Sequence, residues 1–185
     1  KFATAEVGQG FVVLAQQIAR TVLGVDVVVL DRIDTEIGSA GSTSASRQTW
    51  MSGGAVDGAC RLVRERLFEH VAHTHGLDPL QLVIEDTDIV DTMGPLRISV
   101  SEASKGLKIV QTFLHQHRKT EELDENGQGN CHVAFAFVAH RAVVDVDVEL
   151  GLVKVVQIAT AQDVGRSLNP LALLGQIEGG IAQGL

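Results

Sequence analysis

Val144-Asp145-Val146-Asp147-Val148-Glu149, followed by the Leu150-Gly151 turn and the run Val153 to Ala159, decides the fold class of this chain. Apolar and acidic residues alternate with a period of two, the pattern of a strand with one wet face. The apolar stretch leading into it begins at Val133, and Val153 to Ala159 reads as the returning strand of a hairpin. Helical patterns lie on both sides. Downstream, Asn169-Pro170 reads as an N-cap followed by a proline at the first helical position. Upstream, Val12, Ala15, Ile18, Ala19 and Val22 follow helical spacing from Phe11, with Gly24 at the C′ position. Helices interleaved with a hairpin predict an α+β fold: mixed β-sheets with packed helices.

The remaining elements follow outward. Val25 to Leu30, rich in valine and too short for a helix, predicts a buried strand. A long helix is expected from about Ala45 to His75, with Leu62, Val63, Leu67 and Val71 on its apolar face. Gly53-Gly54 would let it bend or approach a neighbour, and Gly76-Leu77-Asp78-Pro79 stops it. Gln81 to Val90 and Leu96 to Val100 read as strands, Ser104 to Arg118 as a short helix, and Lys119 to Asn130 as a surface loop.

Composition narrows the function classes. Apolar residues make up 45% of the 185 and charged residues 21%, enough apolar chain for a real core. A net charge of −8 without a basic stripe argues against nucleic acid. Cys60 and Cys131 stand far apart and outside any metal spacing, which predicts reduced thiols in a cytoplasmic protein. No signal peptide and no apolar run of membrane-spanning length is evident, so no membrane partner is expected. The sequence begins at Lys1 and stops within Gln176-Ile177-Glu178-Gly179-Gly180-Ile181-Ala182-Gln183-Gly184-Leu185, which reads as an unfinished helix. One fragment of a larger domain is therefore expected, 1–185, with approximate lobes 1–93 and 94–185.

Three segments place small or polar residues immediately before a helix: Gly8-Gln9-Gly10, the run from Gly38 to Thr49, and residues 163–170. In the second, Gly38-Ser39-Ala40-Gly41-Ser42-Thr43-Ser44-Ala45-Ser46-Arg47-Gln48-Thr49, no large apolar side chain precedes Trp50. Bare backbone N–H groups, hydroxyls and one guanidinium at the positive end of a helix suit a phosphate-bearing ligand. A solvated linker with a serine N-cap accounts for the same residues. Gln9 and Gln176 are flanked by glycine, and an amide offers the donor and acceptor that suit a heterocycle edge. Glycine-rich turns alone would also explain them. His70-x-x-His73-x-His75 and His115-x-His117 lack cysteine or acidic partners at ligand spacing, and histidines near a helix C-terminus suit its dipole instead. Asp145, Asp147 and Glu149 read as the solvated strand face.

Glu6-Val7-Gly8-Gln9-Gly10, Thr43 to Thr49, Asp163-Val164-Gly165 with Asn169-Pro170, and Gly175-Gln176-Ile177-Glu178-Gly179-Gly180 with Gln183-Gly184 occur in one order. In that order and spacing the chain resembles the molybdenum hydroxylases, the xanthine dehydrogenase and aldehyde oxidase family, over essentially its whole length. The likeness is to the later part of the molybdopterin-binding subunit. Ala139 to Asp147 looks most like bacterial xanthine dehydrogenase molybdenum-binding subunits. The resemblance implies a molybdenum–molybdopterin cofactor, in bacterial relatives often the cytosine dinucleotide form. It implies cofactor contacts from Gly8, Gln9, Gly10, Thr43, Ser44, Ala45, Ser46, Arg47 and Gln176, with the Ala45 backbone beside the molybdenum and no direct protein ligand to the metal. The loop departs from animal enzymes, which carry a proline and fewer serines. The implied reaction is hydroxylation of an electron-poor carbon of a purine such as xanthine or hypoxanthine, or of an aldehyde substrate, with electrons leaving through iron–sulfur clusters and FAD in partner domains or subunits. The family's glutamate base falls after residue 185, so no catalytic residue is expected here, and the isolated piece is expected to be inactive and to self-associate through exposed apolar faces. A phosphate-ligand module without catalysis, or a subunit-assembly module, would use the same small-residue loops.

Overall fold

The computed structural model describes residues 1–31, 36, 38, 41–44 and 47–185. The chain divides into two compact units, Lys1–Gln116 and His117–Leu185. The division falls later than the expected 93/94 boundary, which would have separated two paired strands.

In the first unit, α1 (Phe11–Leu23) runs from a left-handed Gly10 to a left-handed Gly24, whose N–H bonds the Arg20 carbonyl at 2.9 Å. Phe11, Ala15, Ala19 and Val22 form its buried stripe. The long helix α2 (Met51–His75) starts after a turn at 47–50 and ends at a left-handed Gly76. The first turn of α2 meets α1 along Leu14 and Ile18: a Cβ on buried Gly53 would lie 3.4 Å from Ile18 Cδ1 and 3.5 Å from Leu14 Cδ2, ordinary contact distances that leave little room for a longer side chain. Gly54 instead faces His115, 2.9 Å from where its Cβ would stand.

The far half of α2 covers a three-stranded antiparallel sheet in the order β1 (Leu82–Glu85), β2 (Asp88–Asp91), β3 (Arg97–Ser99). Leu67, Val71 and Ala72 of α2 close a core with Leu82, Ile89, Val100 and Ala103. The single strand expected over Gln81–Val90 is instead a hairpin, folded at Asp86, which takes a left-handed φ of 55°. Short polar side chains tolerate that conformation, and Asp86-Thr87 separates two apolar runs. Ser99 caps a single turn, α3 (Val100–Ala103), by accepting the Glu102 N–H at 3.1 Å.

Two expected elements are absent. Val25 to Leu30 forms no strand: Gln16 Nε2 and Arg20 Nε of α1 donate to the Val28 and Asp26 carbonyls, and Val27 and Val29 are 79% and 85% exposed. Side chains of α1 supply what a ladder would, so the apolar run does not mark burial here. The helix expected over Ser104–Arg118 is an irregular strap after α3. Ile109 packs on the core, while Phe113 and His115 lie where side chains at Gly58 and Gly54 would stand. Contacts at every second residue are those of an extended chain rather than a helix.

In the second unit, β4 (Phe137–Asp147) and β5 (Leu152–Asp163) form the expected hairpin, with a register shift at Val143/Val144. Asp147 Oδ1 accepts the N–H groups of Glu149 and Leu150 and shapes the turn. Helix α4 (Pro170–Ala182) begins as the sequence indicates, with Asn169 Oδ1 accepting the Ala172 N–H at 3.1 Å. Leu173, Ile177 and Ile181 are half-buried along one stripe of α4, but no residue of β4, β5 or α4, all described, is fully buried.

Two glycine caps separate backbone strain from packing. A Cβ at Gly24 would meet Ile84 Cγ2 at 2.6 Å and the Asp86 carbonyl at 2.7 Å, whereas Gly76 opens on empty space. Gly76→Ala is expected to cost about 1 kcal/mol, the left-handed penalty alone, and Gly24→Ala about 2–4 kcal/mol through added overpacking. Equal shifts of the urea midpoint would contradict this packing of α1 against the β1–β2 hairpin.

Candidate functional site

In the first unit Thr4 bonds Gln48 and Ser52, which brings the segment before α1 to the start of α2. At the α1 entrance the first N–H groups have no partner within the helix. Glu6 supplies it. Its carboxylate accepts from Gly8 N at 2.9 Å, Gly10 N at 3.0 Å and Val12 N at 2.9 Å. Gly8 and Gly10 stand at φ 100° and 82°, conformations that turn successive N–H groups toward one point. Partial desolvation pushes the Glu6 carboxyl up, but the bonds from Val12, Gly10, Gly8 and Phe11 outweigh it and hold the group below the ordinary range. The loop is thus an anion cradle holding an internal carboxylate. Glu6 lies in the expected motif but was given no role from sequence; an acid just before Gly-Gln-Gly at a helix start is the signal that would have found it.

Gln9 folds back on the same loop. Its Oε1 accepts the Val7 N–H at 2.7 Å and its Nε2 donates to the Ala5 carbonyl at 2.9 Å. Each end of the amide keeps capacity for one further bond.

At the α2 entrance, Ser42 Oγ and Ser44 Oγ are 2.7 Å apart, and the Ser44 N–H donates to Ser42 Oγ at 3.2 Å. Arg47 Nη1 donates to the Ser42 carbonyl, so the guanidinium lies over its own loop with further N–H donors remaining. Thr43 is half-buried between the two serines. Ala45 and Ser46 lie outside the described residues. Beneath both loops, Thr4 Oγ1 donates to Gln48 Oε1 at 3.0 Å in a buried contact that sequence reading did not anticipate.

Gln176 belongs to the second unit. It lines an open cleft of about 320 Å³ between α4 and the hairpin, with His140 and Gln162 as polar walls and Val138, Ile177 and Ile181 as apolar ones. Gly8–Gly10, Thr43, Ser44 and Arg47 fall in the first unit and Gln176 in the second. Among the described residues no group of three or more His, Cys, Asp or Glu side chains is arranged to hold a metal ion. The Cys60 thiol is pushed up by burial and by the Asp57 charge, which makes it a poor nucleophile. No described helix is long and apolar enough to cross a membrane.

The depressed Glu6 pKa has a pH consequence. Its contribution to stability is present above the ordinary glutamate range and is lost as pH falls through the lower folded value. The amide resonances of Gly8, Gly10 and Val12 are expected to titrate together below the usual glutamate range. In Glu6→Gln that shared transition should vanish; its persistence would assign the anion at this entrance to another group.

Known proteins with the same fold carry this domain within much longer chains. The chain is 27% identical to the nicotine 6-hydroxylase large subunit of Paenarthrobacter nicotinovorans, covering 96% of this chain and 22% of that protein. It is 29% identical to a putative xanthine dehydrogenase molybdenum-binding subunit of Escherichia coli K12, over 97% of this chain and 24% of the relative. Among solved structures, quinoline 2-oxidoreductase from Pseudomonas putida 86 superposes with a TM-score of 0.77 at 25% identity, over 97% of this chain and 23% of that one. Reconstituted CO dehydrogenase from Oligotropha carboxidovorans shares the fold, with a TM-score of 0.74 at 20% identity, over 96% of this chain and 22% of that one. This chain spans about a quarter or less of each of these relatives. Residues 1–185, the entire chain, match the molybdopterin cofactor-binding domain, and the chain belongs to that family.

Proposed function

We propose that this chain is part of the cofactor grip of a molybdenum hydroxylase acting on an electron-poor carbon of a nitrogen heterocycle, with a purine such as xanthine or hypoxanthine as the preferred substrate. The observation that carries the cofactor assignment is the α1 entrance. Its converging N–H groups donate to the Glu6 carboxylate and fix the loop, so the donors left for an anionic pterin cofactor are the Gln9 amide and the Arg47 guanidinium. When bound, molybdopterin supplies the redox centre. The chain's own residues supply shape and hydrogen bonds. Gly8 and Gly10 let a flat ring approach the main chain, and the remaining amide donor and acceptor of Gln9 meet its edge. Thr43, Ser44 and Ser46 offer hydroxyls and Arg47 a guanidinium for phosphate, a set that also suits the cytosine dinucleotide form. Ala45, by its small size, leaves room beside the metal. Gln176 contributes a second amide from α4.

The substrate class draws on the relatives named for nicotine, quinoline and xanthine, although CO dehydrogenase is also similar, and on the resemblance of Ala139–Asp147 to bacterial xanthine dehydrogenase subunits. No residue in the chain is assigned as the catalytic base. The exposed apolar side chains of the hairpin, Val144, Val146, Val153 and Val155, suit coverage by the remaining part of the same subunit, with iron–sulfur and FAD modules carrying electrons onward in the cytoplasm. A subunit-assembly role is the competing reading, favoured by the same exposed face.

Gln9→Leu and Gln176→Leu in the full-length protein separate the two. Loss of a hydrogen bond to the cofactor should lower the molybdenum-to-polypeptide ratio about five- to tenfold. An unchanged ratio would reject the grip and support the assembly role. Turnover of xanthine by the wild-type assembly, weaker with aldehydes, tests the substrate; aldehyde preference would overturn it.

A further inference from the structure

Thr4 and Gln48 are 2% and 3% exposed, and Asp91 is the one other polar or charged residue so buried among the described residues. Thr4 Oγ1 donates to Gln48 Oε1 at 3.0 Å and accepts from Ser52 Oγ at 3.3 Å, linking residues 44 and 48 positions apart. Each partner is also tied to a neighbouring loop. Thr4 directly precedes Ala5, whose carbonyl receives the Gln9 amide. Gln48 directly follows Arg47, and its own carbonyl accepts the Gly53 N–H at 2.9 Å, which fixes it against the first turn of α2. Buried polar side chains gain little net stability over apolar ones of the same shape, but a satisfied network specifies one arrangement.

We propose that the Ser52–Thr4–Gln48 hydrogen-bond chain is a positioning clasp that holds the Ala5–Gly10 loop in register with Ser42, Ser44 and Arg47. These are positioning residues: each acts through the loop it anchors rather than by touching a ligand. The inference rests on the reading that both loops grip the cofactor, and its test separates the two claims.

The experiment is hydrogen exchange and molybdenum analysis on the full-length protein carrying Thr4→Val, Thr4→Ser, Gln48→Met, and Thr4→Val with Gln48→Met. Thr4→Val is expected to speed exchange at Gly8, Gly10 and Ser44 about tenfold, with the Leu67–Ala72 amides of α2 unchanged. Thr4→Ser should restore the wild-type rates, and the double variant should be no worse than the worse single one. Molybdenum retained after dialysis should fall in step with loop exchange. Unchanged exchange in Thr4→Val, or an equal rise in both loops and the α2 core, would overturn the clasp. Loosened loops with full molybdenum retention would support the clasp and reject the cofactor reading. A wild-type protein without molybdenum, with loops loosened by Thr4→Val, would do the same.

Discussion

The first unit turns on one buried contact: Thr4, just before α1, bonds Gln48 and Ser52 at the start of α2. Leu14 and Ile18 of α1 lie against Gly53 in the first turn of α2. Each helix start is also a positive dipole end. Such an end is unfavourable unless negative or polar acceptors meet it. Glu6 meets the first entrance, and the Ser42, Ser44 and Gln48 carbonyls and hydroxyls organise the second.

The polar side chains of this site are occupied before any ligand arrives. Gln9 bonds Ala5 and Val7, Arg47 bonds Ser42, and Glu6 bonds three N–H groups. Loops so tied lose less conformational entropy on binding than chains that must first be ordered. What they still offer is second-valence capacity: the remaining amide hydrogen of Gln9 and the remaining guanidinium donors of Arg47. The second unit differs. Its hairpin and α4 hold no fully buried residue, so its apolar surface is organised by secondary structure rather than by a core of its own.

The elements legible in the sequence were those whose signal is local. Gly24 and Gly76 ended their helices, Asn169-Pro170 opened α4, and alternation around Asp145 and Asp147 marked the hairpin. The failures share a cause. Val25–Leu30 reads as a strand because valine favours one, yet its carbonyls are taken by side chains of α1, a tertiary event with no local trace. Ser104–Arg118 carries helical residues, but Gly54 and Gly58 on a distant helix leave room for Phe113 and His115 and select an extended strap. Sequence reading singled out motifs at Gly8–Gly10 and Thr43–Arg47, and the resemblance joined them into one proposed site. Neither showed that Glu6 fills the cradle or that Thr4 reaches Gln48 across 44 residues.

Cofactor protection is the most direct test that both helix entrances grip molybdopterin. Amide exchange would be compared between cofactor-loaded and cofactor-free full-length protein across residues 6–12 and 41–47. The account predicts that both segments become protected together on loading, because one ligand spans both helix starts. Protection of neither segment, with cofactor demonstrably bound, would contradict it.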